Sequence, residues 1–369
     1  MRARKRAARR RMLAWGMSWM GNVQGGPVGA ERLLHSDKGF HQDPLRVSEV
    51  PGDDRRISTA SEWESRRQGI LRGMEQAMGP YPGGGARPPL DVKVLSEDRF
   101  GEVIRRTITY QSSSNHRVPA ILMLPAGATR RKMSAMLALH PTGELGKGIV
   151  AGLPGGRPNR QYGLELAQRG YVVLAPDYPT FGDYRTPPPD GEGFVSGTMR
   201  AVWDNSRGID LLAEMSEVDH RRIGSIGHSL GGHNALFTAA FDPRIRVTVT
   251  SCGYTRFHRY YGGDLTGWTQ PRYMPRIADQ FGKDPDRMPF DFPEVLAAIA
   301  PRAIFTNAPL RDSNFDVRGV RESISAARRI YELLGGEHHL EAFYPSCDHD
   351  FPFEARARAY KFLDARLKP

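Results

Sequence analysis

The segment Gly227-His228-Ser229-Leu230-Gly231, with Gly232 next, constrains this 369-residue chain more than any other. It follows a short apolar run, Arg222 to Ile226, and opens a stretch of helical character from about Gly232 to Phe241. A serine flanked by glycines two positions before and after it, between strand and helix, predicts a sharp, strained turn. Only residues without a β-carbon fit the flanking positions, and the hydroxyl is left exposed at the tip. The turn requires a buried strand and a helix folded back on it.

The rest of the chain supplies the matching pattern. Val103 to Tyr110 and Val118 to Leu124 read as two antiparallel strands leading into a central strand, Met136 to Leu139. Strands and helices then alternate: a strand over Tyr171 to Ala175, a helix within Val195 to Met215, a strand over Ile223 to Ile226, the Gly232 to Phe241 helix and a strand over Val247 to Ser251. Last come the strand Ala303 to Thr306, the helix Arg321 to Leu334, the strand Leu340 to Tyr344 and the helix Phe353 to Leu367. Continuous apolar strands alternating with helices predict an α/β fold with a mostly parallel central sheet flanked by helices. In such sheets ligands bind at the carboxyl ends of the strands. Chemistry is therefore sought just after each strand.

Charge is concentrated at one end. The chain carries a formal +11, with a sequence pI near 9.8, but seven of those charges are Arg2, Arg4, Lys5, Arg6, Arg9, Arg10 and Arg11. The remaining +4 is ordinary for an enzyme, and the head lacks the interleaved aromatics of a nucleic-acid binder, so no nucleic-acid partner is expected. Residues 1–30 read as a basic leader: charge, a short apolar stretch from Met12 to Met20, then Val28-Gly29-Ala30, with Arg9-Arg10 resembling a twin-arginine export signal. Export to the periplasm or medium is the expectation; a disordered basic tail on a cytoplasmic protein is the alternative. No run reaches the roughly eighteen apolar residues of a membrane span. Cys252 and Cys347 are too few for a disulfide framework or a zinc site of their own.

Residues 31–90 form an arm and a helix. The arm, Glu31 to about Ser58, is polar and turn-rich. The helix opens with a capping box, Thr59 with Glu62 or Ser61 with Glu64, presents Trp63, Ile70, Leu71, Met74 and Met78 on one face, and stops at Gly79-Pro80. It is expected to pack on the main domain, residues 91–369. Within that domain, about 254–300 is too long for a simple connection and is rich in aromatics, predicting a cap insertion beside the strand ends.

The hydroxyl of Ser229 needs a base, and in this architecture the base follows both nucleophile and acid in the chain. His349 lies just past the last strand; His338 and His339 precede that strand, at the opposite end of the sheet. The acid, which would accept the second imidazole N–H, follows the strand Ala303 to Thr306. Asp312 is nearer the strand end, and Asp316 is the alternative acid or a helix cap. Two backbone donors are expected to hold the oxyanion: the N–H of Leu230, and that of Thr142 in His140-Pro141-Thr142-Gly143, since Pro141 has none. Cys347, Asp348, His349 and Asp350 are adjacent, so their side chains diverge, and no metal or other cofactor is implied. Candidate substrate contacts are His140, Asp177 and Tyr178 on the strand-end rim, and His258, Arg259, Tyr260, Trp268 and Arg272 in the cap; the alternative is that the aromatics only pack the cap and Asp177 caps a turn.

From about Ile104 onward these motifs resemble the α/β-hydrolases, in the branch of dienelactone-hydrolase-like and acetyl xylan esterase-like proteins. The carrying residues are the turn at Gly227 to Gly232, His140-Pro141-Thr142, Ala175-Pro176-Asp177-Tyr178, the Asp312 loop and Asp348-His349. Met288-Pro289-Phe290-Asp291 through Ala300-Pro301-Arg302 is similar to a segment of bacterial glucuronoyl esterases. Those enzymes carry an arginine directly after the nucleophile where this chain has Leu230, and dienelactone hydrolases proper use a cysteine where it has Ser229. The resemblance implies the α/β-hydrolase fold with a cap and an N-terminal helix, and a serine hydrolase cleaving carboxylic esters, acetyl or other carbohydrate esters among them. Rival readings are a prolyl-oligopeptidase-like peptidase, disfavoured by the lack of a propeller-length segment ahead of the domain, and a basic-tail polyanion-binding protein without catalysis.

Overall fold

The computed structural model describes residues 43–46, 55–83, 87–127, 132–185 and 191–369. The predicted leader and most of the predicted arm lie outside these residues. Helix α1, Ala60–Met78, closes the capping box with the first of the two predicted pairs: Glu62 N–H donates to Thr59 Oγ1 at 3.2 Å, and Thr59 N–H to Glu62 Oε2 at 3.2 Å. Its buried face is Trp63, Ile70, Met74, Ala77 and Met78, with Leu71 half-buried. Gly73 lets the helix approach the Pro289 carbonyl so closely that a β-carbon would collide with it.

Nine strands form one sheet in the order β1-β2-β3-β5-β4-β6-β7-β8-β9. These are β1 (Lys93–Phe100), β2 (Val103–Ser113), β3 (His116–Pro125), β4 (Met133–Leu139), β5 (Val172–Pro176), β6 (Val218–His228), β7 (Ile245–Ser251), β8 (Ala303–Asn307) and β9 (Leu340–Phe343). β1, β2, β3 and β5 pair antiparallel, and β5 through β9 pair parallel. Strand β1 was not foreseen because nothing in it alternates: all eight residues are exposed. It is an edge strand whose Glu97 and Asp98 pair with Arg106 and Arg105 of β2, and charge of this kind discourages pairing with other chains.

Inner strands alternate between two cores. Ala135, Leu137 and Leu139 face one side; Met136 and Ala138 face the other. The remaining helices are α2 (Lys147–Val150), α3 (Tyr162–Gln168), α4 (Gly197–Glu214), α5 (Leu230–Phe241), α6 (Arg276–Asp279), α7 (Phe292–Ile299), α8 (Val317–Leu333) and α9 (Phe353–Leu367). The first core is covered by α1, α4, α5, α7 and α8, and the second by α3 and α9. Sequence patterning anticipated α1, α4, α5, α8 and α9. It missed α3, whose seven residues are too few to display a period. The stretch about 254–300 holds α6, α7 and three 3-10 turns around a cluster of aromatic rings.

The topology reverses at β4, which has β5 on one side and β6 on the other. A crevice opens at such a switch point beyond the carboxyl ends of the strands. Register aligns those ends in one row: Leu139 opposite Gly227, His228 opposite Ser251, Ser251 opposite Asn307, and Asn307 opposite Phe343.

Candidate active site

Ser229 is the first residue past β6 and stands at φ +56°, ψ −119°, a conformation an L-residue holds only when its surroundings impose it. Its N–H donates to Ser251 O at 2.8 Å, tying the turn to the end of β7, and its carbonyl accepts from Gly232 N–H at 2.8 Å as α5 begins. A β-carbon on Gly227 would strike the Gly231 carbonyl, and one on Gly231 the Leu139 carbonyl. The glycine spacing is thus a packing requirement of the turn.

The row of strand ends delivers the other two groups. Ala308 N–H donates to Phe343 O, Leu310 N–H to Pro345 O and Arg311 N–H to Cys347 O, carrying the β8–β9 pairing past the strands and bringing the two loops together. Both carboxylate oxygens of Asp312 face His349 Nδ1, at 3.0 and 2.9 Å. Asp312 Oδ1 also accepts from the N–H groups of Asn314 (2.9 Å) and Phe315 (3.0 Å), which fixes the carboxylate plane. Asp316, the alternative acid, caps α8 through Arg318 N–H and pairs with the Arg318 guanidinium. The His349 ring stands 4.9 Å from that of His228, the residue before Ser229. The structure holds no hydrogen bond between Ser229 Oγ and His349 Nε2, a looseness common in unliganded sites.

Several residues that frame this arrangement escaped sequence reasoning. His228 is buried, its N–H donates to Tyr162 Oη and its Nδ1 meets Ser251 Oγ at 2.9 Å. Burial first, and then the neighbouring Arg160 guanidinium, push its pKa well below the usual imidazole range, so it stays neutral. Tyr162 also donates to Leu139 O, joining the ends of β4 and β6. The His349 loop is anchored from outside by Arg160 and Asn159, which bind Asp350, and from inside by Asn307 Nδ2, which donates to Asp350 O at 2.9 Å. No local motif marks these residues; only His228, inside the glycine-serine segment, carried a signal.

The loop after β4 is held from two sides. His140 is buried; its Nδ1 donates to Pro141 O at 2.7 Å and its Nε2 accepts from Tyr178 N–H at 2.9 Å. A trans peptide points its carbonyl and N–H in opposite directions, so a Pro141 carbonyl turned to the imidazole turns the Thr142 N–H away from it. Asp177 accepts from Lys147 N–H and Lys147 Nζ, both at 2.7 Å, and from Asp183 N–H at 2.9 Å. Tyr178 Oη contacts Thr198 Oγ1 and donates to Arg272 O. His140, Asp177 and Tyr178 therefore use their polar atoms inside the protein, building the rim expected to touch substrate.

In the cap, His258 is exposed and meets Asp286 at 2.8 Å; with Arg256, Arg259, Arg321 and Arg329 it lines a cleft of about 770 Å³ along α8. Arg259 is paired with Glu322. The Arg272 guanidinium lies over the Phe181 ring, 5.1 Å from its centre. Tyr260 and Trp268 are buried in the aromatic cluster, 5.5 Å apart, and both contact Phe315, whose ring is 6.0 Å from His349.

Among the described residues, Cys252, Asp312 and His349 have potential ligand atoms within 4.8 Å of one another. Burial, and then the Asp312 charge, push the Cys252 thiol well above its usual range, whereas a metal takes the thiolate. Both Asp312 oxygens are already turned to the imidazole. The donor set suits a carboxylate–imidazole pair better than a cation.

The fungal glucuronyl esterase family model matches residues 192–335, which span the Ser229 turn, the cap and the Asp312 loop. The Bacillus subtilis (strain 168) protein YtaP, whose name goes no further than hydrolase, is 26% identical over 293 residues, 76% of this chain and 94% of its own. Carbohydrate esterase MZ0003, from an unknown prokaryotic organism, is 22% identical over 370 residues, covering 81% of this chain and 82% of that protein. Among solved structures, a glucuronoyl esterase from Solibacter usitatus superposes with a TM-score of 0.68 at 22% identity, covering 88% of this chain and 97% of that one. The fold is that of the α/β-hydrolases.

Proposed function

We propose that this enzyme hydrolyses esters of carbohydrates through an acyl-enzyme, with Ser229 as nucleophile, His349 as general base and acid, and Asp312 as the group that orients the imidazole. The observation that carries the reading is the Asp312–His349 Nδ1 contact beside a serine held at positive φ between strand and helix. Ser229 Oγ attacks the ester carbonyl carbon while His349 Nε2 takes its proton. The oxyanion is received by the N–H groups of Leu230 and Thr142, neither of which donates to an acceptor among the described residues. Collapse breaks the acyl–oxygen bond, His349 gives the proton to the departing alcohol, and water repeats the sequence on the acyl-serine.

Carbohydrate as the alcohol or acyl part is supported by the names of the relatives: a carbohydrate esterase and glucuronoyl esterases. Neither the peptidase nor the polyanion-binding reading draws support from them. The proposal includes export by way of the basic leader, tested by sequencing the mature N-terminus. The catalytic test is labelling with a fluorophosphonate. Adduct on the Ser229 peptide together with turnover of 4-nitrophenyl acetate is expected; unlabelled, inactive protein would overturn the reading.

A further inference from the structure

Two neighbouring side chains each hold a buried polar atom with no partner among the described residues, His233 Nε2 and Trp268 Nε1. A buried polar group left unpaired is costly, so two on neighbouring side chains point to an occupant that pairs both. The rings stand 4.8 Å apart. His233 is the fourth residue of α5, and its N–H donates to Ser229 O at 3.3 Å. Trp268 reaches the other side of the site through Phe315, 6.2 Å from it and in turn 6.0 Å from His349. His233 is thus tied to the turn that carries the nucleophile, and Trp268, through Phe315, to the side that carries the base.

Chemistry decides what fits. His233 Nδ1 faces the carbonyl of Gly253 at 3.2 Å, so Nδ1 carries the hydrogen and Nε2 presents a lone pair. Trp268 Nε1 can only donate. One acceptor beside one donor complements a hydroxyl, which both gives and takes a hydrogen bond. A carboxylate needs two donors and would meet the Nε2 lone pair. Burial pushes the His233 pKa down to about 3, so the imidazole does not become a second donor near neutrality. Leu230, directly after the nucleophile, likewise brings no cation to the turn.

We infer that His233 and Trp268 form a subsite for a neutral sugar hydroxyl adjoining the scissile ester, so that the preferred substrate is an acyl ester of an uncharged sugar rather than an ester of a uronic acid. This rests on the esterase reading above and narrows its substrate.

The test compares mono-acetylated methyl xylosides with analogues in which one ring hydroxyl at a time is replaced by hydrogen, measuring kcat/KM for the wild type, Trp268→Phe and His233→Phe. In the wild type, loss of one particular hydroxyl should lower kcat/KM about tenfold, the scale of one hydrogen bond in a buried site. In either variant the same deletion should matter less than about twofold, because its partner is gone. A purely structural role for the two side chains would lower rates on all substrates alike and leave the hydroxyl dependence intact. That result overturns the inference, as does a wild type indifferent to every hydroxyl or one that prefers methyl glucuronate. Should the variants fail to fold, the wild-type series alone decides by the same criterion. Failure of the esterase reading is distinguishable: the wild type would then cleave neither the xylosides nor 4-nitrophenyl acetate.

Discussion

The floor of the site and its wall are built on opposite rules. On the floor, at the ends of β4 and β5, His140 and Asp177 have every side-chain polar atom engaged by backbone amides, a carbonyl or Lys147. On the wall, His233 and Trp268 each leave a buried nitrogen open. Groups that stabilise a transition state work only when already oriented, so their supports must be satisfied before substrate arrives. Groups that recognise a substrate must keep a bond to offer. On the proposed reading, the difference separates residues that set the rate from those that set the choice of ester.

That separation can be broken by mutation, most severely at the reacting atoms. Ser229→Ala or His349→Ala should lower kcat on 4-nitrophenyl acetate by on the order of 10⁴ or more, measured with purified protein. Asp312→Asn should cost about 10²- to 10⁴-fold in kcat, since an amide neither fixes the imidazole tautomer nor carries the charge that stabilises the imidazolium. Asp316→Ala should leave kcat within about twofold and lower stability by about 1 kcal/mol through the lost α8 cap, seen as a shift in urea midpoint. Equal losses at Asp312 and Asp316 would undo the assignment of the acid.

On the floor, His140→Phe keeps the ring volume but frees the Pro141 carbonyl. The expected outcome is a kcat roughly 10²-fold lower, the cost of one misdirected oxyanion donor, with KM nearly unchanged. A change confined to KM would instead make His140 a substrate contact. The smallest effects concern pH. His140, His228 and His233 are buried with pKa values pushed below the usual range by desolvation. Below about pH 6.5 the unfolded chain binds protons that the folded one refuses, so their stability is retained above that pH and lost as pH falls. Thermal melts should show Tm falling from pH 7 to pH 5 with a slope that His233→Phe reduces.

How far the sequence foretold this follows from what makes a pattern local. The Ser229 turn was legible because its glycines are dictated by contacts a few residues away, and Asp312 and His349 because their strands are apolar runs whose ends could be counted. The helix α1 was legible through its capping box and apolar face. By contrast, β1 has an all-exposed sequence and α3 is only two turns long, so neither carries a period. The Asp350 anchor depends on Arg160, nearly 200 positions away, a distance at which no spacing rule operates. His140, Asp177 and Tyr178 were placed on the correct rim, but whether a polar side chain faces inward to a loop or outward to a ligand is fixed only by packing. His233 stands in the first turn of the helix after Ser229, but its open nitrogen is fixed by the Gly253 carbonyl, twenty residues on.

The most direct measurement is the mass of the protein during turnover. Mixing the enzyme with 4-nitrophenyl acetate and quenching in acid within the first turnovers should give a species one acetyl group heavier. Peptide mapping should place that group on Ser229, and it should be missing from Ser229→Ala. An enzyme that turns over the ester with no acylated species at any time, or with the acetyl group on another residue, would contradict the account.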